Sequence, residues 1–403
     1  MTCAGPSPRR GAAQAVVTPV AGGLVASREG RIVFVGPVPA FESGVQAAPG
    51  AVVLDAARGT VIPGFVDPHT HVVYAGDRRE ELRRRLAGAS YAEIASTGGG
   101  IVSTVRETRE ASEDALVESA RRRLAEMLRC GTTTAEAKSG YGLETEAELK
   151  MLRAIRRLAA DQPIDLVPTF LGAHEIPVEF RERRQAYLDL LVDEMIPAVV
   201  AGGLAEWCDV FCETGVYTPE ESRLILEAGA RGGLRPRIHA DELAASGGSD
   251  VASAVGARSA DHLLFVTPES ANRMAASGVV ATLLPAAAFY LKFGRFAPAR
   301  MLIERGVAVA LATDLNPGGG FTPSMPFVMT LACFAMGMTL EEALVGATLN
   351  AAYAIGRDTE VGSLEPGKLM DAVVVDGEVV DLIRVGAPAI RHVVKRGRVV
   401  ASA

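Results

Sequence analysis

Short apolar runs alternate with amphipathic stretches through the middle of the chain, and this alternation predicts the fold. The segment 112–128 places Leu116, Ala120, Leu124 and Leu128 on one helical face. Strands that alternate with helices predict a parallel sheet, and eight such units over about 290 residues predict a (β/α)8 TIM-like barrel of the α/β class. The eight predicted strands are 62–66, 132–135, 166–170, 209–212, 237–239, 259–263, 279–284 and 307–313.

Helix start signals support the same alternation. Thr218, Thr267 and Thr339 each stand just before a segment with helical spacing, and acidic residues follow each of them. Proline occupies the next position after Thr218 and Thr267. A threonine N-cap, proline in the first turn and early acids are typical of a helix N-terminus. We therefore predict that helices begin at these three threonines.

Both ends of the chain have a strand pattern instead. Short runs with β propensity are bounded by glycine, aspartate and other turn residues. These runs are residues 15–17, 30–36, 51–55, 371–375 and 391–400. We predict that residues 1–60 and 357–403 combine into one small β-sandwich domain, beside a catalytic barrel that spans residues 61–356.

Composition limits the classes of function. With 403 residues, 49% hydrophobic and 22% charged, the chain can bury one large core and one smaller core. The net charge of −7 comes from interspersed acids and bases, which gives no basic face for nucleic acid. The long uncharged runs, 278–291 and 325–338, have about 14 residues, fewer than the roughly 20 that span a bilayer. We expect neither a nucleic-acid partner nor a membrane span.

The cysteines indicate the compartment. Five cysteines are spread along the chain without a Cys-x-x-Cys motif, so neither a disulfide framework nor a zinc-thiolate site is indicated. This usage suits a reducing cytoplasm. The five are Cys3, Cys130, Cys208, Cys212 and Cys333.

The clearest chemical signal lies at residues 61–71, where the apolar run VIPGFVDPHTH ends in two histidines. Side chains at positions i and i+2 of a strand share one face, so His69 and His71 can reach one point beyond the strand. An isolated His-x-His is more often one core histidine beside one loop histidine. Here further histidines follow at other predicted strand ends, which favours a metal chelate.

Those further candidates are His239 at the end of the fifth strand and Asp314 at the end of the eighth. In a barrel, the carboxyl ends of all strands meet at one mouth. Alone, His239 could be structural and Asp314 could cap the following turn. With His69 and His71 they form a set of three imidazoles and one carboxylate, which suits one Zn²⁺ or Fe²⁺ ion with an open position for water.

Two further residues have the chemistry of proton transfer and charge stabilisation. A metal of this kind lowers the pKa of its water from about 15.7 toward 7, which predicts hydrolysis. Glu242 follows His239 by three residues and is the predicted general base and acid. Asp241 is the alternative, interpreted as a loop carboxylate that faces solvent. His262 ends the sixth strand and is predicted to polarise a substrate carbonyl, unless it is a core histidine bonded to backbone.

These residues resemble the amidohydrolase superfamily in its mononuclear form. The resemblance rests on the HTH motif at 69–71, HADE at 239–242, His262, Asp314 and the closing GSLEPGKLMDA at 362–372. Lys138 is the candidate for the carbamylated lysine of binuclear members. It lies at the second strand, whereas those members take the lysine from a later strand, and the fourth strand here ends at Glu213. The resemblance therefore implies one metal ion.

Within that superfamily, the chain is most similar to the enzymes that open an imidazolone ring. The motifs are DPHTHVVYAGDR at 67–78, EAKSGYGL at 136–143, TFLGAH at 169–174, HADEL at 239–243 and TDLNPG at 313–318. The resemblance implies that the substrate is contacted by Arg78, Tyr141, His174, Glu242, Asn316 and Gly318. Arg78 also makes sense physically, because a guanidinium is the usual partner of a carboxylate such as a propionate.

One position departs from the family pattern. The family commonly has serine or threonine after the TDLNPG motif, and its hydroxyl would bond the substrate. Here Gly319 and Gly320 follow. The side-chain contact is lost, and a backbone contact from Gly319 takes its place in the predicted site.

The implied reaction is hydrolysis of the ring C–N bond of 4-imidazolone-5-propanoate to N-formimidoyl-L-glutamate, a step of histidine degradation. Asp314 would accept a proton as water is activated, and Glu242 or His262 would deliver one to the departing nitrogen. A small molecule is the expected partner, and a homodimer would form if the apolar segment 325–338 is exposed.

Two alternatives belong to other classes of function. An aminohydrolase of a purine, pyrimidine or triazine ring would use nearly the same metal ligands, but an uncharged ring has no need of Arg78. A non-enzymatic scaffold relative would typically have lost metal ligands, and all four candidates are present here.

Overall fold

The computed structural model describes residues 1–89, 93 and 99–402, and at its centre eight parallel strands form a barrel, with helices between them along the chain. The strands of the described part are β1 (Gly23–Arg28), β2 (Arg31–Pro37), β3 (Thr60–Pro63), β4 (Phe65–Asp67), β5 (Thr132–Lys138), β6 (Asp165–Ala173), β7 (Trp207–Cys212), β8 (Arg235–Pro236), β9 (Ile238–Ala240), β10 (Ser259–His262), β11 (Val280–Leu283), β12 (Val309–Leu311), β13 (Ala372–Val375), β14 (Ile390–Lys395) and β15 (Arg398–Ser402).

The barrel strands follow chain order, β4-β5-β6-β7-β9-β10-β11-β12, and the short β8 pairs with β7. Every pairing among them is parallel. Beyond the ends of β12 and β4, a parallel bridge joins Leu315 to Thr70. The His71 amide donates to the Leu315 carbonyl at 2.9 Å, and the Asp314 amide donates to the His69 carbonyl at 3.1 Å. This bridge brings Asp314 beside both histidines of the HTH motif. The order and direction of the strands confirm the predicted (β/α)8 barrel.

The helices of the described part lie mainly between the barrel strands, and their start signals are confirmed. The hydroxyls of Thr218, Thr267 and Thr339 each accept a hydrogen bond from the backbone amide three residues on, at 3.2 Å. The helices are α1 (Val38–Gly44), α2 (Arg79–Leu86), α3 (Ile101–Glu110), α4 (Glu113–Arg129), α5 (Thr145–Asp161), α6 (Arg184–Leu190), α7 (Ile196–Ala201), α8 (Pro219–Arg231), α9 (Gly248–Val255), α10 (Pro268–Ser277), α11 (Pro285–Tyr290), α12 (Ala299–Glu304), α13 (Met325–Met336), α14 (Leu340–Gly346) and α15 (Leu349–Ala354).

The two ends of the barrel differ in polarity. At the amino ends of the strands, Val66, Val167, Trp207 and Val280 pack against the side chains of α15. This apolar plug closes the bottom of the barrel. The predicted face of α4 is buried as expected, with Leu116, Ala120, Leu124 and Leu128 in contact with the core. The polar end of the barrel is therefore the carboxyl end, as in other barrels of this kind.

The chain ends form two small antiparallel sheets, as predicted. One sheet is β1-β2, and the other is β15-β14-β13-β3. Ile32, Leu364, Ala372 and Val394 form the buried core that they share. The division into a sandwich of residues 1–60 and 357–403 and a barrel of residues 61–356 stays a prediction.

The run predicted as one strand over 62–66 divides into two. Thr60–Pro63 pairs with β13 of the small sheet, whereas Phe65–Asp67 enters the barrel beside β5. Gly64 marks the change of sheet. A Cβ at Gly64 would lie 2.4 Å from the Thr133 hydroxyl oxygen, so only glycine lets the two strands approach this closely.

Two predicted strands are wrong. The run 15–17 forms no strand, since Ala15 ends a 3-10 helix over Gly11–Ala15 and residues 16–17 are irregular. In that helix the buried Gln14 amide bonds both the amide and the carbonyl of Val309. Residues 51–55 form no strand, and Val52 is 96% exposed. Both runs have the apolar residues of a strand, but neither pairs with any strand in the part of the chain that the structure describes.

Among the described residues, no helix combines the length and the apolar character needed to cross a bilayer. The uncharged run 325–338 forms α13, which has 12 residues. The other run, 278–291, is divided between β11 and α11.

Candidate metal centre

Five of the six histidines gather at the carboxyl ends of the barrel strands. His69 and His71 follow β4, His174 follows β6, His239 lies in β9, and His262 ends β10. The ring centres of His69 and His239 are 4.4 Å apart, those of His71 and His174 are 5.0 Å apart, and those of His239 and His262 are 5.3 Å apart. The mouth of the barrel is thus lined by imidazoles.

Asp314 completes this cluster across the bridge between β12 and β4. Its Oδ1 lies 3.6 Å from Nε2 of His69 and 3.6 Å from Nε2 of His71. Ligand atoms of His69, His71 and Asp314 all lie within 4.8 Å of one another, and His239 shares such a group with each of the two histidines. His69 and His71 thus connect Asp314 on one side of the cluster with His239 on the other.

The outward nitrogens of two histidines are bonded to carboxylates. His69 Nδ1 donates to Asp261 Oδ2 at 2.6 Å, and His239 Nδ1 donates to Asp209 Oδ2 at 3.1 Å. This arrangement leaves the Nε2 lone pair of each ring pointing into the cluster. Within the described chain, both Nε2 atoms are buried and have no hydrogen-bond partner. A carboxylate behind each imidazole and an unpartnered inner nitrogen fit a bound divalent cation.

Burial disfavours the charged form of four imidazoles in the cluster. Burial lowers the pKa of His69, His71 and His262 well below the ordinary value of 6.5. Burial also lowers the pKa of His174 to about 3. Since only a neutral imidazole can bind a metal, these shifts favour ligation near neutral pH.

Two carboxyls in the cluster have raised pKa values. Burial raises the pKa of Asp314 to about 7. Burial, together with the charges of Asp314 and Glu213, raises the pKa of Glu242 well above 4.5. A divalent cation beside these groups would favour their charged forms. Without such a cation, both carboxyls keep a proton to a higher pH than an exposed carboxyl does.

The strand ends at the cluster have strained backbone. Asp314 has a φ of 53° and His262 a φ of 75°, in the left-handed region that side chains rarely adopt. Such a conformation costs of the order of 1–3 kcal/mol per residue and is found often at functional sites. The strain supports a functional role for both residues.

Glu242 is held by its neighbours. Its Oε1 lies 3.5 Å from His262 Nδ1, and its backbone amide donates to Glu213 Oε2 at 2.9 Å. The interpretation of Asp241 as a loop carboxylate facing solvent is wrong. Asp241 is 2% exposed and accepts hydrogen bonds from the amides of Gly247 and Ser249. It shapes the loop after β9 because its carboxylate satisfies these buried amides.

Arg78 precedes α2 and lies against the loop that carries Asp314. Its Nε donates to Glu81 Oε2 at 2.8 Å, and its side chain is nearly buried. A Cβ at Gly318 would lie 2.2 Å from Arg78 Nη1, so the guanidinium touches that glycine. The predicted carboxylate clamp is therefore joined to the Asp314 loop by direct contact.

Tyr141 and His174 lie beside His71. The Tyr141 ring is 5.7 Å from the His71 ring and 5.3 Å from the His174 ring, between centres. His174 Nδ1 donates to the Gly140 carbonyl at 2.9 Å. The structure thus brings these two predicted substrate contacts to the same side of the histidine cluster.

Asn316 organises the loop after Asp314. Its Nδ2 donates to the Asp314 carbonyl at 2.8 Å, and its Oδ1 accepts the amides of Gly318 and Gly319 at 2.8 and 2.7 Å. A Cβ at Gly320 would lie 1.5 Å from the Asp314 carbonyl oxygen, so the loop can close only over glycine. The amide of Asn316 therefore shapes the loop that presents Asp314.

The sequence does not predict the ion pairs among the buried charges behind the ligands. Lys138 Nζ lies 2.7 Å from Glu136 Oε1 and 2.7 Å from Asp209 Oδ2, and all three side chains are fully buried. Asp209 and Asp261 stand within predicted apolar strands, and a buried charge needs a partner. An aspartate in an apolar strand therefore predicts a buried partner of opposite charge, but the sequence alone does not identify that partner.

A separate cavity of about 520 Å³ lies away from the cluster, between α13 and the C-terminal strands. Tyr290, Phe327, Leu382 and Val393 are among the residues that line it. None of the predicted metal ligands borders this cavity. The cavity and the histidine cluster are therefore separate features of the structure.

Comparisons with known proteins identify the family of this chain. The profile of the amidohydrolase family matches residues 60–400. An imidazolonepropionase of Symbiobacterium thermophilum is 50% identical over 403 residues, which cover 99% of this chain and 95% of the relative. An imidazolonepropionase of Geobacillus kaustophilus is 53% identical over 356 residues, which cover 87% of this chain and 83% of the relative.

Solved structures show the same fold at low identity. The 5-methylcytosine deaminase of Klebsiella pneumoniae, liganded with 5-fluorocytosine, has a TM-score of 0.74 at 18% identity, with 94% of each chain covered. The guanine deaminase of E. coli has a TM-score of 0.71 at 17% identity, with 94% of this chain and 93% of that chain covered. From the family match and the high identities over most of its length, this chain belongs to the amidohydrolase family, within the group of the imidazolonepropionases.

Proposed function

We propose that this protein hydrolyses the ring C–N bond of 4-imidazolone-5-propanoate and releases N-formimidoyl-L-glutamate. The relatives named imidazolonepropionase support this reaction. The observation that carries the proposal is the contact between Arg78 and Gly318, beside the loop of Asp314. This contact joins a carboxylate-binding guanidinium to a hydrolytic metal site.

The proposed ligands are His69, His71, His239 and Asp314, which would hold one divalent cation. Three neutral imidazoles and a carboxylate suit both Zn²⁺ and Fe²⁺, and metal analysis of the purified protein distinguishes them. When bound, the cation supplies Lewis acidity and lowers the pKa of water at the site. His69 and His239 are oriented toward it by the carboxylates of Asp261 and Asp209.

Asp314 and Glu242 are the proposed proton carriers. One water adds to the ring carbonyl carbon, Asp314 accepts a proton from that water, and the bond from the carbonyl carbon to the ring nitrogen breaks. Glu242 delivers a proton to the departing nitrogen. The carbonyl becomes a carboxylate, and the nitrogen stays in the formimidoyl group. His262, 3.5 Å from Glu242, donates to the oxygen on which negative charge develops.

Arg78 is proposed to bind the propionate of the substrate. Glu81 fixes its Nε, and its terminal nitrogens can meet a carboxylate side by side. Tyr141 and His174 flank the ring of the substrate near His71. Asn316, Gly318 and Gly319 complete the pocket, with the backbone of Gly319 in place of a hydroxyl side chain.

The alternatives from sequence analysis are less well supported. The deaminases and triazine hydrolases of similar fold are 17–21% identical to this chain, which is evidence for the fold only. Glu81 already pairs with Arg78 Nε, and a neutral nucleobase would give the terminal nitrogens of this guanidinium no second carboxylate. A scaffold without chemistry would not need buried, unpartnered Nε2 atoms on His69 and His239.

Compartment and assembly are proposed on separate grounds. The five cysteines are free, and we assign the protein to the reducing cytoplasm on that usage. We propose a homodimer through α13, where Phe334 is 79% exposed. Light scattering of the purified protein tests this assembly, since a monomer at micromolar concentration would contradict it.

A saturation assay tests the proposed activity. Metal-loaded protein is mixed with freshly generated 4-imidazolone-5-propanoate, and loss of the imidazolone absorbance is followed over time. We expect saturable turnover, and we expect the Arg78→Ala variant to need far more substrate. Protein that binds one metal equivalent and leaves this substrate unchanged would refute the proposal.

A further inference from the structure

We propose that Lys138 is a positioning residue of the metal centre, which fixes ligands on two different strands through Asp209 and Glu136. The inference rests on the metal site proposed above. Lys138 is the last residue of β5, which lies between β4 and β6 in the barrel. The HTH motif follows β4. Within the described chain, the Lys138 side chain bonds Glu136 and Asp209 and makes no hydrogen bond or ion pair with the four proposed ligands.

The first branch of this network reaches His239. Lys138 Nζ donates to Asp209 Oδ2 at 2.7 Å. The same carboxylate accepts the hydrogen bond of His239 Nδ1, at 3.1 Å from Oδ2 and 3.2 Å from Oδ1. Lys138 therefore fixes the carboxylate that sets the tautomer and the ring orientation of His239.

The second branch reaches the residue between the other two histidines. Lys138 Nζ donates to Glu136 Oε1 at 2.7 Å, and Glu136 Oε2 accepts the amide of Thr70 at 3.1 Å. The Thr70 hydroxyl donates to the Glu136 carbonyl at 2.5 Å, and the Lys138 amide donates to the Thr70 carbonyl at 3.0 Å. Thr70 is thus held at three atoms, its amide nitrogen, its hydroxyl and its carbonyl oxygen, and His69 and His71 flank it.

Charge explains why a lysine is needed at this position. Glu136, Lys138 and Asp209 are all fully buried, and two buried carboxylates cannot both stay ionised without a cation between them. A carbamate on Lys138 would add a third anion to this group. With its Nζ 2.7 Å from each carboxylate, Lys138 is placed as the counter-cation of both.

A second chain of the same design stands behind His69. Asp261 Oδ2 accepts from His69 Nδ1, and Arg237 Nη2 lies 3.0 Å from the same oxygen and 2.6 Å from the Pro68 carbonyl. Imidazole, carboxylate and buried cation follow one another in both chains. Two of the proposed ligands are therefore oriented in the same way, which supports a functional reading of the Lys138 network.

The test compares Lys138→Met with a matched control elsewhere in the chain. Lys395 is 6% exposed and lies between Asp371 at 2.6 Å and Asp165 at 2.7 Å, with its Nζ 2.9 Å from the Thr133 carbonyl. Lys395→Met therefore removes a similar buried ammonium, in the small sheet. Zn²⁺ affinity is measured for each metal-free variant by competition with a chelator, and folding is checked by circular dichroism.

We expect Lys138→Met to weaken Zn²⁺ binding by about 10- to 100-fold, as loss of an orienting group does at other sites. Lys395→Met is expected to lower thermal stability and keep the Zn²⁺ affinity of the wild type. Asp209→Asn, which keeps the size of the side chain, serves if Lys138→Met does not fold, and it should weaken Zn²⁺ similarly. A rise in KM alone, without weaker Zn²⁺ binding, would contradict the proposal.

Different results would refute the proposed function and the role of Lys138. If the wild type binds no Zn²⁺ or Fe²⁺, the proposed function and this inference are both overturned. If the wild type binds metal and hydrolyses the substrate, but Lys138→Met and Asp209→Asn bind Zn²⁺ within about threefold of it, only the role of Lys138 is overturned. Equal weakening in Lys395→Met would also overturn it, because loss of stability would then be the cause.

Discussion

The backbone of Gly318 lies directly against the guanidinium of Arg78. A Cβ added at Gly318 would be 2.2 Å from Arg78 Nη1 and 2.4 Å from Cζ. Arg85 donates to the Gly318 carbonyl at 3.3 Å from the other side. The loop that presents Asp314 and the proposed carboxylate-binding residue therefore fix each other in place.

This contact predicts the effect of a single methyl group. Gly318→Ala should displace the Arg78 guanidinium and raise KM by about tenfold or more, with a smaller change in kcat, because uniform binding of the propionate is weakened. Steady-state kinetics on the imidazolone substrate measure both constants. Gly44→Ala is the control, since a Cβ there would meet nothing within 4 Å. An unchanged KM in Gly318→Ala would contradict the proposed clamp.

A substitution of Arg78 itself tests the kind of contact. Arg78→Lys keeps the positive charge but loses the two parallel N–H donors, and it also loses the hydrogen bond from Nε to Glu81. We expect KM to rise by about tenfold, with unchanged metal content, since charge-assisted bidentate bonds are worth roughly 1.5–3 kcal/mol. Wild-type KM in this variant would show that the fork geometry has no role.

Glu242 should affect the chemical step and leave the metal in place. Glu242→Gln keeps the size of the side chain but removes the acid, so we expect kcat to fall by about 100- to 10,000-fold. Metal analysis should still find one equivalent. Glu213→Gln is the matched variant, because the Glu213 carboxylate accepts backbone amides, those of Thr214, Glu242 and Leu243, and its loss of kcat should be smaller. A larger loss in Glu213→Gln would reverse the proposed roles.

The start of α8 provides a prediction about pH and stability. Hydrogen bonds from Arg184, at 2.6 and 2.5 Å, lower the pKa of Glu221 below its ordinary value of 4.5. Because the folded pKa lies below the unfolded one, the stabilisation is present above pH 4.5 and is lost as pH falls through the folded pKa. The carboxylate also accepts the Thr218 amide in a capping box.

We therefore expect Glu221→Gln to lower the free energy of unfolding near pH 7 by about 1 kcal/mol, because glutamine keeps the capping-box contact but loses the ion pair with Arg184. The difference from the wild type should shrink as the pH is lowered, because the wild-type carboxylate is then protonated. Urea denaturation over a series of pH values measures it. Glu220→Gln, one residue earlier in the same first turn, is the control. A difference that grows on acidification would contradict the assignment.

The sequence supports the fold and the ligands because both depend on local patterns. The barrel strands are apolar runs of the right length, and β4, β9 and β12 lead into the predicted ligands His69, His239 and Asp314. The strand predicted at 51–55 fails because nothing local tells an apolar run with a partner from one without.

Local sequence patterns do not predict which residues pair with the buried charges. Lys138 and Asp209 are 71 positions apart, and His69 and Asp261 are 192 positions apart. Only the closed barrel brings each pair together. Asp241 shows the same limit, because its burial depends on amides that the loop turns toward it. From the sequence, Lys138 is interpreted only as a candidate carbamate, because the sequence does not show that Glu136 and Asp209 surround its side chain.

Product analysis after complete turnover of 4-imidazolone-5-propanoate tests the central claim most directly. The ring-opening reaction adds one water and keeps both nitrogens, so mass spectrometry should find N-formimidoyl-L-glutamate in an amount equal to the substrate consumed, and an ammonia assay should find none. Release of ammonia with the ring retained would identify an aminohydrolase and contradict the proposed reaction. A substrate that remains unchanged in the presence of fully metal-loaded enzyme would contradict it as well.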